Sequence, residues 1–229
     1  MRLEVLPDAD AAASRAAARI AEAAREAVVA RGRFVFAVSG GHSPWIMLRE
    51  LSGEPLPWEK LHVFQVDERV APAGNPDRNL THLRESLLSR APLPPQNVHA
   101  MPVEAADLDA AARGYARELE SVAGSPPSLD LVHLGLGPDG HTASLVPGDP
   151  VLSVTDRDVA LTAVYMGRRR MTLTYPVLDR ARAVLWLVTG ADKAAAFPRL
   201  RDGDPTIPGG RVRRDDALLI ADRAAAGQD

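Results

Sequence analysis

The sequence contains no cysteine among its 229 residues. That excludes a disulfide framework, a thiol nucleophile and any thiolate metal site, and it suits a reducing cytoplasm, the expected location. Basic charge is not in excess either. Lys plus Arg number 27 against 30 Asp plus Glu, a formal net charge of −3. A nucleic-acid partner would favour a basic face, so none is expected. No apolar run reaches the ~18 residues of a membrane span, so no membrane partner is expected. The opening MRLEVLPDAD turns acidic too early for a secretory leader. No glycine is followed by lysine, which removes a Walker A loop, and no G-x-S-x-G elbow is present. The six histidines form no H-x-x-x-H or H-x-H pair, so no metal is expected.

What remains is ordinary globular material. Apolar residues make up 46% and charged residues 25%, which argues against a disordered chain. The length suits one sizeable core, so residues 1–229 are read as one domain. From Asp10 to Arg31 the chain is Ala-, Arg- and Glu-rich, with acids before it and Gly32 after it. These are helix start and stop signals, with Ile20, Ala24, Ala27 and Val28 on one stripe. Strands are expected at FVFAV (34–38), LHVFQV (61–66), VHAM (98–101), LDLVHLGL (129–136), DVALTAV (158–164), AVLWLV (183–188) and ALLIA (217–221). Helices are expected at 43–51, 79–89, 107–122 and from Asp192 to about Leu200. The alternation implies an α/β fold with a mostly parallel sheet covered on both faces. The Pro-rich pieces near residues 56 and 94 read as connections within the domain.

In such a sheet, ligands gather beyond the carboxyl ends of the strands. Four loops at such ends carry chemistry. Ser39-Gly40-Gly41-His42-Ser43-Pro44 joins a strand to a helix. Its glycines let the backbone approach an anion, and Ser39 and Ser43 add hydroxyl donors, as a phosphate monoester requires. The same residues also fit a plain tight turn with Ser43 as helix cap. Asp67-Glu68-Arg69 puts three charges just past a buried strand, which is costly unless they face solvent or a site. There Asp67 could orient sugar hydroxyls and Arg69 could grip a phosphate. Thr189-Gly190-Ala191-Asp192-Lys193 places Lys193 at the first turn of the expected helix, against the dipole, a conflict that an anionic ligand would resolve. Arg168-Arg169-Arg170 could add a phosphate contact or form a solvated edge.

The fourth loop is Gly135-Leu136-Gly137-Pro138-Asp139-Gly140-His141-Thr142. Its G-x-G-x-x-G spacing invites a dinucleotide reading. That reading fails because the motif lies mid-chain, Asp139 would oppose a pyrophosphate, and the acids twenty residues on precede a strand instead of ending one. What remains is a glycine-shaped turn that presents a histidine beside a carboxylate, which suits a general base. Of the other histidines, His133, His62 and His99 sit in or beside strands and read as structural. His82 reads as solvated on a helix face, and His42 as lining the first loop.

Taken together, these loops resemble the 6-phosphogluconolactonase family, within the glucosamine/galactosamine-6-phosphate isomerase group. The matching segments are VSGGHSP (38–44), VDERVAP (66–72), NPDRNL (75–80), LGLGPDGHTASLVPG (134–148), RRMTLTYPVLDRAR (169–182) and LVTGADKAA (187–195). The resemblance implies a Rossmann-like three-layer α/β sandwich shared with glucosamine-6-phosphate deaminase, ribose-5-phosphate isomerase and CoA transferase-like proteins. It implies hydrolysis of a small-molecule sugar-phosphate lactone, 6-phospho-D-glucono-1,5-lactone, without a cofactor and by a monomer or homodimer. By position, His141 is the implied general base, with Asp139 or Asp67 tuning it. Ser39, Gly40, Gly41 and Ser43 match the phosphate loop, and Arg69, Arg170 and Lys193 match basic residues of the pocket. His42 stands at a variable position of that loop, and Pro208-Gly209-Gly210 departs from the family pattern, so neither is given a role. A sugar-phosphate isomerase–deaminase using Asp67 as base, and a non-catalytic sugar-phosphate sensor, are the alternative functions.

Overall fold

A computed structural model describes residues 1–228. Seven strands form one wholly parallel sheet. They are β1 (Arg2–Leu6), β2 (Phe34–Val38), β3 (Leu61–Gln65), β5 (Val98–His99), β6 (Leu131–Leu134), β9 (Val184–Val188) and β10 (Ala217–Asp222), in the spatial order β1-β10-β9-β6-β2-β3-β5. The central strands are buried along their whole length, as near-continuous apolar runs such as FVFAV and VLWLV require when both sheet faces are covered. The chain runs from β2 outward to β3 and β5, then returns to lay β6 on the other side of β2. The connections therefore diverge between β2 and β6, and the loops leaving those two strands open a crevice.

One face of the sheet packs against α1 (Ala9–Arg31), α2 (His42–Ser52) and α3 (Asn79–Leu83). Helix α1 starts where the Asp8 side chain accepts the Ala11 amide at 2.8 Å, and it stops at Gly32 in the left-handed region. Its buried stripe is mostly alanine, which lets the helix lie close to the strands. The other face packs against α4 (Leu108–Ala123), α5 (Tyr175–Arg180) and α6 (Phe197–Asp202), giving three layers. No helix among the described residues is long and apolar enough to cross a membrane.

Several details differ from the sequence reading. The run at 158–164 does not join the parallel sheet. Its core, β7 (Val159–Leu161), pairs antiparallel with β8 (Arg170–Leu173), which pairs antiparallel with β4 (Asp67–Arg69), making a second small sheet. A short antiparallel ribbon and a parallel strand look alike in local pattern, because only the partner tells them apart. The segment 79–89 begins as α3 and widens into a π turn over Arg84–Leu88. His82 is not simply solvated: it stacks on Trp45 at 4.0 Å and bonds the Pro76 carbonyl at 2.8 Å. Glu68 faces neither solvent nor ligand. Its buried carboxylate accepts the Asn79 and Leu80 amides, each at 2.8 Å, and so caps α3, with the Arg78 guanidinium 3.1 Å away.

His133, on β6, is fully buried and its Nδ1 accepts the Ser39 amide at 3.3 Å. Burial pushes its pKa down to about 3. As pH falls through about 6.5 the unfolded chain takes up a proton here that the folded chain refuses. The stability this neutral ring confers is therefore complete above pH 6.5 and drains away on acidification, by about 1.4 kcal/mol per pH unit. Urea unfolding should show the wild type losing about 2 kcal/mol more than His133→Asn between pH 7.5 and pH 5. The Asn oxygen keeps an acceptor for Ser39. Parallel pH dependences for the two proteins would overturn this account.

Candidate active site

A cleft of about 520 Å³ opens beyond the carboxyl ends of β2, β3, β6 and β9. All four loops singled out in the sequence meet there. Ser39, Gly40, Gly41, Ser43, Asp67, Arg69, His141, Arg170 and Lys193 line it, and Asp139 stands behind His141.

The His141 loop is a closed turn. The Gly137 amide donates to the His141 carbonyl at 2.8 Å, and the Gly140 amide donates to the Gly137 carbonyl at 2.9 Å. Gly140 has φ +83°, and a side chain there would strike Ile207, so glycine is required twice over. Asp139 Oδ1 accepts the His141 amide at 3.1 Å and lies 2.5 Å from Nδ1 of the same residue. A carboxylate at that distance fixes the proton on Nδ1 and leaves the Nε2 lone pair free to accept another. Burial would raise the Asp139 pKa, but the His141 amide, the His141 ring and the Tyr165 hydroxyl outweigh it and hold it below its usual value. Asp139 is thus the carboxylate that contacts His141. Asp67 is occupied elsewhere: its nearly buried carboxylate accepts Ser144 Oγ at 2.6 Å and Asn79 Nδ2 at 3.2 Å.

The cleft that His141 lines also holds a concentration of unpaired donors. Helix α2 begins at His42, capped by Gly41 at φ +130°, with no side-chain cap; Ser43 lies inside the helix and does not cap it. The amides of Gly40, Gly41, His42 and Ser43 find no acceptor among the described residues, an arrangement suited to an anion at a helix start. Ser43 Oγ bridges to Thr189 Oγ1 at 2.5 Å and ties this loop to the one after β9. Ser39 contributes differently from its neighbours, since its amide bonds His133 and its hydroxyl donates to the His133 carbonyl at 3.0 Å. It holds the loop's shape. Gly40 packs so closely on Asn79 that a Cβ would stand 1.9 Å from Oδ1. Asn79 in turn accepts from Arg69 Nη1 at 2.6 Å, aligning that guanidinium along the wall.

Of the three consecutive arginines, only Arg170 faces the cleft. Arg168 pairs outward with Asp77 at 2.7 Å, and Arg169 leans on the Thr162 carbonyl. Arg170 is 7% exposed, its Nε has no partner, and no carboxylate among the described residues lies within ion-pair distance. Burial lowers its pKa, partly countered by the Asp67 charge. A buried guanidinium without an acid is costly unless an anion completes it. Lys193 reaches the cleft by another route than expected. Residues Ala191–Lys193 form a single 3-10 turn after Gly190, and α6 starts only at Phe197. The helix-dipole argument for Lys193 therefore fails. Its ammonium pairs with Asp192 at 2.7 Å.

Residues without any local sequence signal complete the site. Tyr165 bonds Asp139, Asn79 braces Arg69, and Asp222 at the end of β10 accepts the Gly190 amide at 3.0 Å. Only Asn79 lay within a matched segment. Among the described residues no group of three or more His, Asp or Glu is placed to hold a metal ion.

Fold and cleft together define an α/β protein with a cationic pocket facing an imidazole–carboxylate pair. The family model for glucosamine-6-phosphate isomerases/6-phosphogluconolactonase matches residues 7–220, and the chain belongs to that family. It is 42% identical over 176 residues to a 6-phosphogluconolactonase of Synechocystis, covering 75% of this chain and 73% of the relative. It is 38% identical over 240 residues to a 6-phosphogluconolactonase of Mycobacterium tuberculosis, covering 99% and 97%. The crystal structure of 6-phosphogluconolactonase from Thermotoga maritima superposes with a TM-score of 0.86 at 26% identity, covering 96% of this chain and 98% of that one.

Proposed function

We propose that this chain hydrolyses 6-phospho-D-glucono-1,5-lactone to 6-phosphogluconate, the second step of the oxidative pentose phosphate pathway, with His141 as general base. The observation that carries the reading is one cleft that brings two chemistries together. A free Nε2, an unpaired Arg170 and the open amides of residues 40–43 share it. The phosphate docks on the amides, Arg170, Arg69 and Lys193, and this fixes the ring carbonyl near His141. Water attacks that carbonyl carbon while its proton passes to Nε2, and the new charge on the carbonyl oxygen is met by backbone amides. The bond from this carbon to the ring oxygen then breaks. The ring oxygen takes the proton back from Nε2 and becomes a hydroxyl, and the carbonyl carbon ends as a carboxylic acid, which releases its remaining proton to solvent to give the carboxylate. Asp67, fully engaged by Ser144 and Asn79, supports the wall that holds Arg69 and Arg170. That engagement speaks against the deaminase alternative, in which Asp67 would move protons.

The phosphate contacts make the reading testable. The wild type should open the phosphorylated lactone with a kcat/KM at least about 100-fold above that for unphosphorylated gluconolactone, after the spontaneous rate is subtracted. Arg170→Met should shrink that ratio by about tenfold or more while leaving the unphosphorylated rate in place. Equal efficiency on both lactones would sink the assignment.

A further inference from the structure

The loop carrying Tyr165 is the tip of the β7–β8 hairpin. Met166 at φ +50° and Gly167 at φ +79° make its turn, closed by the Tyr165 amide donating to the Arg168 carbonyl at 2.9 Å. Val164 and Met166 stand out in solvent at 67% and 80% exposure. Tyr165, between them, turns inward. Its hydroxyl donates to Asp139 Oδ2 at 3.1 Å, its ring meets the His141 ring edge-on with centroids 5.7 Å apart, and the Arg170 guanidinium lies 4.9 Å over its face. These contacts half-bury Tyr165, while its two neighbours are left to solvent. The tip is also tied down, because Arg168 binds Asp77 in the loop after β4.

We propose that Tyr165 is a positioning residue that joins the two halves of the reaction, its hydroxyl fixing Asp139 against His141 and its ring supporting Arg170. This rests on the reading of His141 as base. Asp139 has one oxygen on His141 and the other on Tyr165, so the phenol removes the carboxylate's freedom to rotate away. It also helps to hold the Asp139 carboxyl below its usual range, and so keeps it charged. The other basic groups lining the cleft are His42, Arg69, Arg170 and Lys193, and the acids are Asp67, Asp192 and Asp222. None of these bonds the hydroxyl, so its removal leaves their contacts in place.

Tyr165→Phe deletes the hydroxyl and keeps the ring. It should lower kcat by about 3- to 10-fold with KM unchanged, and move the acidic limb of the kcat/KM profile up, as Asp139 loses one of the bonds that hold its carboxyl low. Tyr165→Leu removes the ring as well and should also raise KM for the phosphorylated lactone, because Arg170 loses the face it lies on. A Tyr165→Phe profile that superimposes on the wild type in rate and limb overturns the proposal. So does a Tyr165→Leu variant with an unchanged KM. His141→Asn, run alongside, separates the two levels. Full activity there removes the base reading itself, whereas a crippled His141→Asn beside an unperturbed Tyr165→Phe removes only the positioning role.

Discussion

Replacing His141 with Asn should lower kcat for the phosphorylated lactone by about 10²–10⁴-fold, with little change in KM. Asn keeps a donor toward Asp139 but has no nitrogen lone pair where Nε2 now faces the cleft. The proposed phosphate contacts make no hydrogen bond to His141 and are untouched, so binding survives while proton transfer is lost. The lactone also opens unaided, so the rate must be read above that background. A variant working at wild-type speed would mean that water is activated by something other than this imidazole.

A change one turn earlier should cost nearly as much without touching a reactive group. Gly137 does not occupy the left-handed region, so alanine could adopt its backbone. The added methyl, however, would stand 2.1 Å from His141 Nδ1, 2.2 Å from Cε1 and 2.8 Å from Asp139 Oδ1. The ring and the carboxylate must part to admit it. Displacing a catalytic group by about 1 Å can cost about 10²-fold in rate, and that loss in kcat is expected for Gly137→Ala. The ring sits at the cleft wall with open space beside it, so the urea midpoint should hardly move. Gly140→Ala is the contrasting case. It meets Ile207 at 2.6 Å in a left-handed backbone, and its damage should appear as lost stability. Wild-type kcat in Gly137→Ala would show that the ring tolerates displacement and that the Asp139 bond is dispensable.

The reach of the sequence differs between sheet and site. FVFAV and VLWLV announce their strands, because a strand covered on both faces must be apolar along its whole length. The loops that follow were legible for the same reason, since glycines and charges directly after a buried run need a purpose. The second sheet was not legible. Asp67-Glu68-Arg69 has no strand pattern, and it becomes β4 only because β8 lies beside it. Glu68 shows the limit of reading charge as exposure, since its carboxylate is buried by helix amides that come eleven and twelve residues later. Tyr165 carried no local signal at all, because what selects it is a hairpin tip folding back onto a turn 26 residues earlier. Lys193 reached its expected place although the helix invoked to put it there is only a 3-10 turn.

The pairing of β1 with β10 carries a consequence for assembly. Residue 2 pairs in register with residue 218, so β1 has no neighbouring strand until β10 is in place. The same distant strand supplies Asp222, whose carboxylate gathers the Gly190 amide and so shapes the turn bearing Lys193. Contacts between such distant stretches of chain form slowly. Closure of this edge of the sheet and the shaping of the Lys193 turn are therefore tied to the docking of one strand.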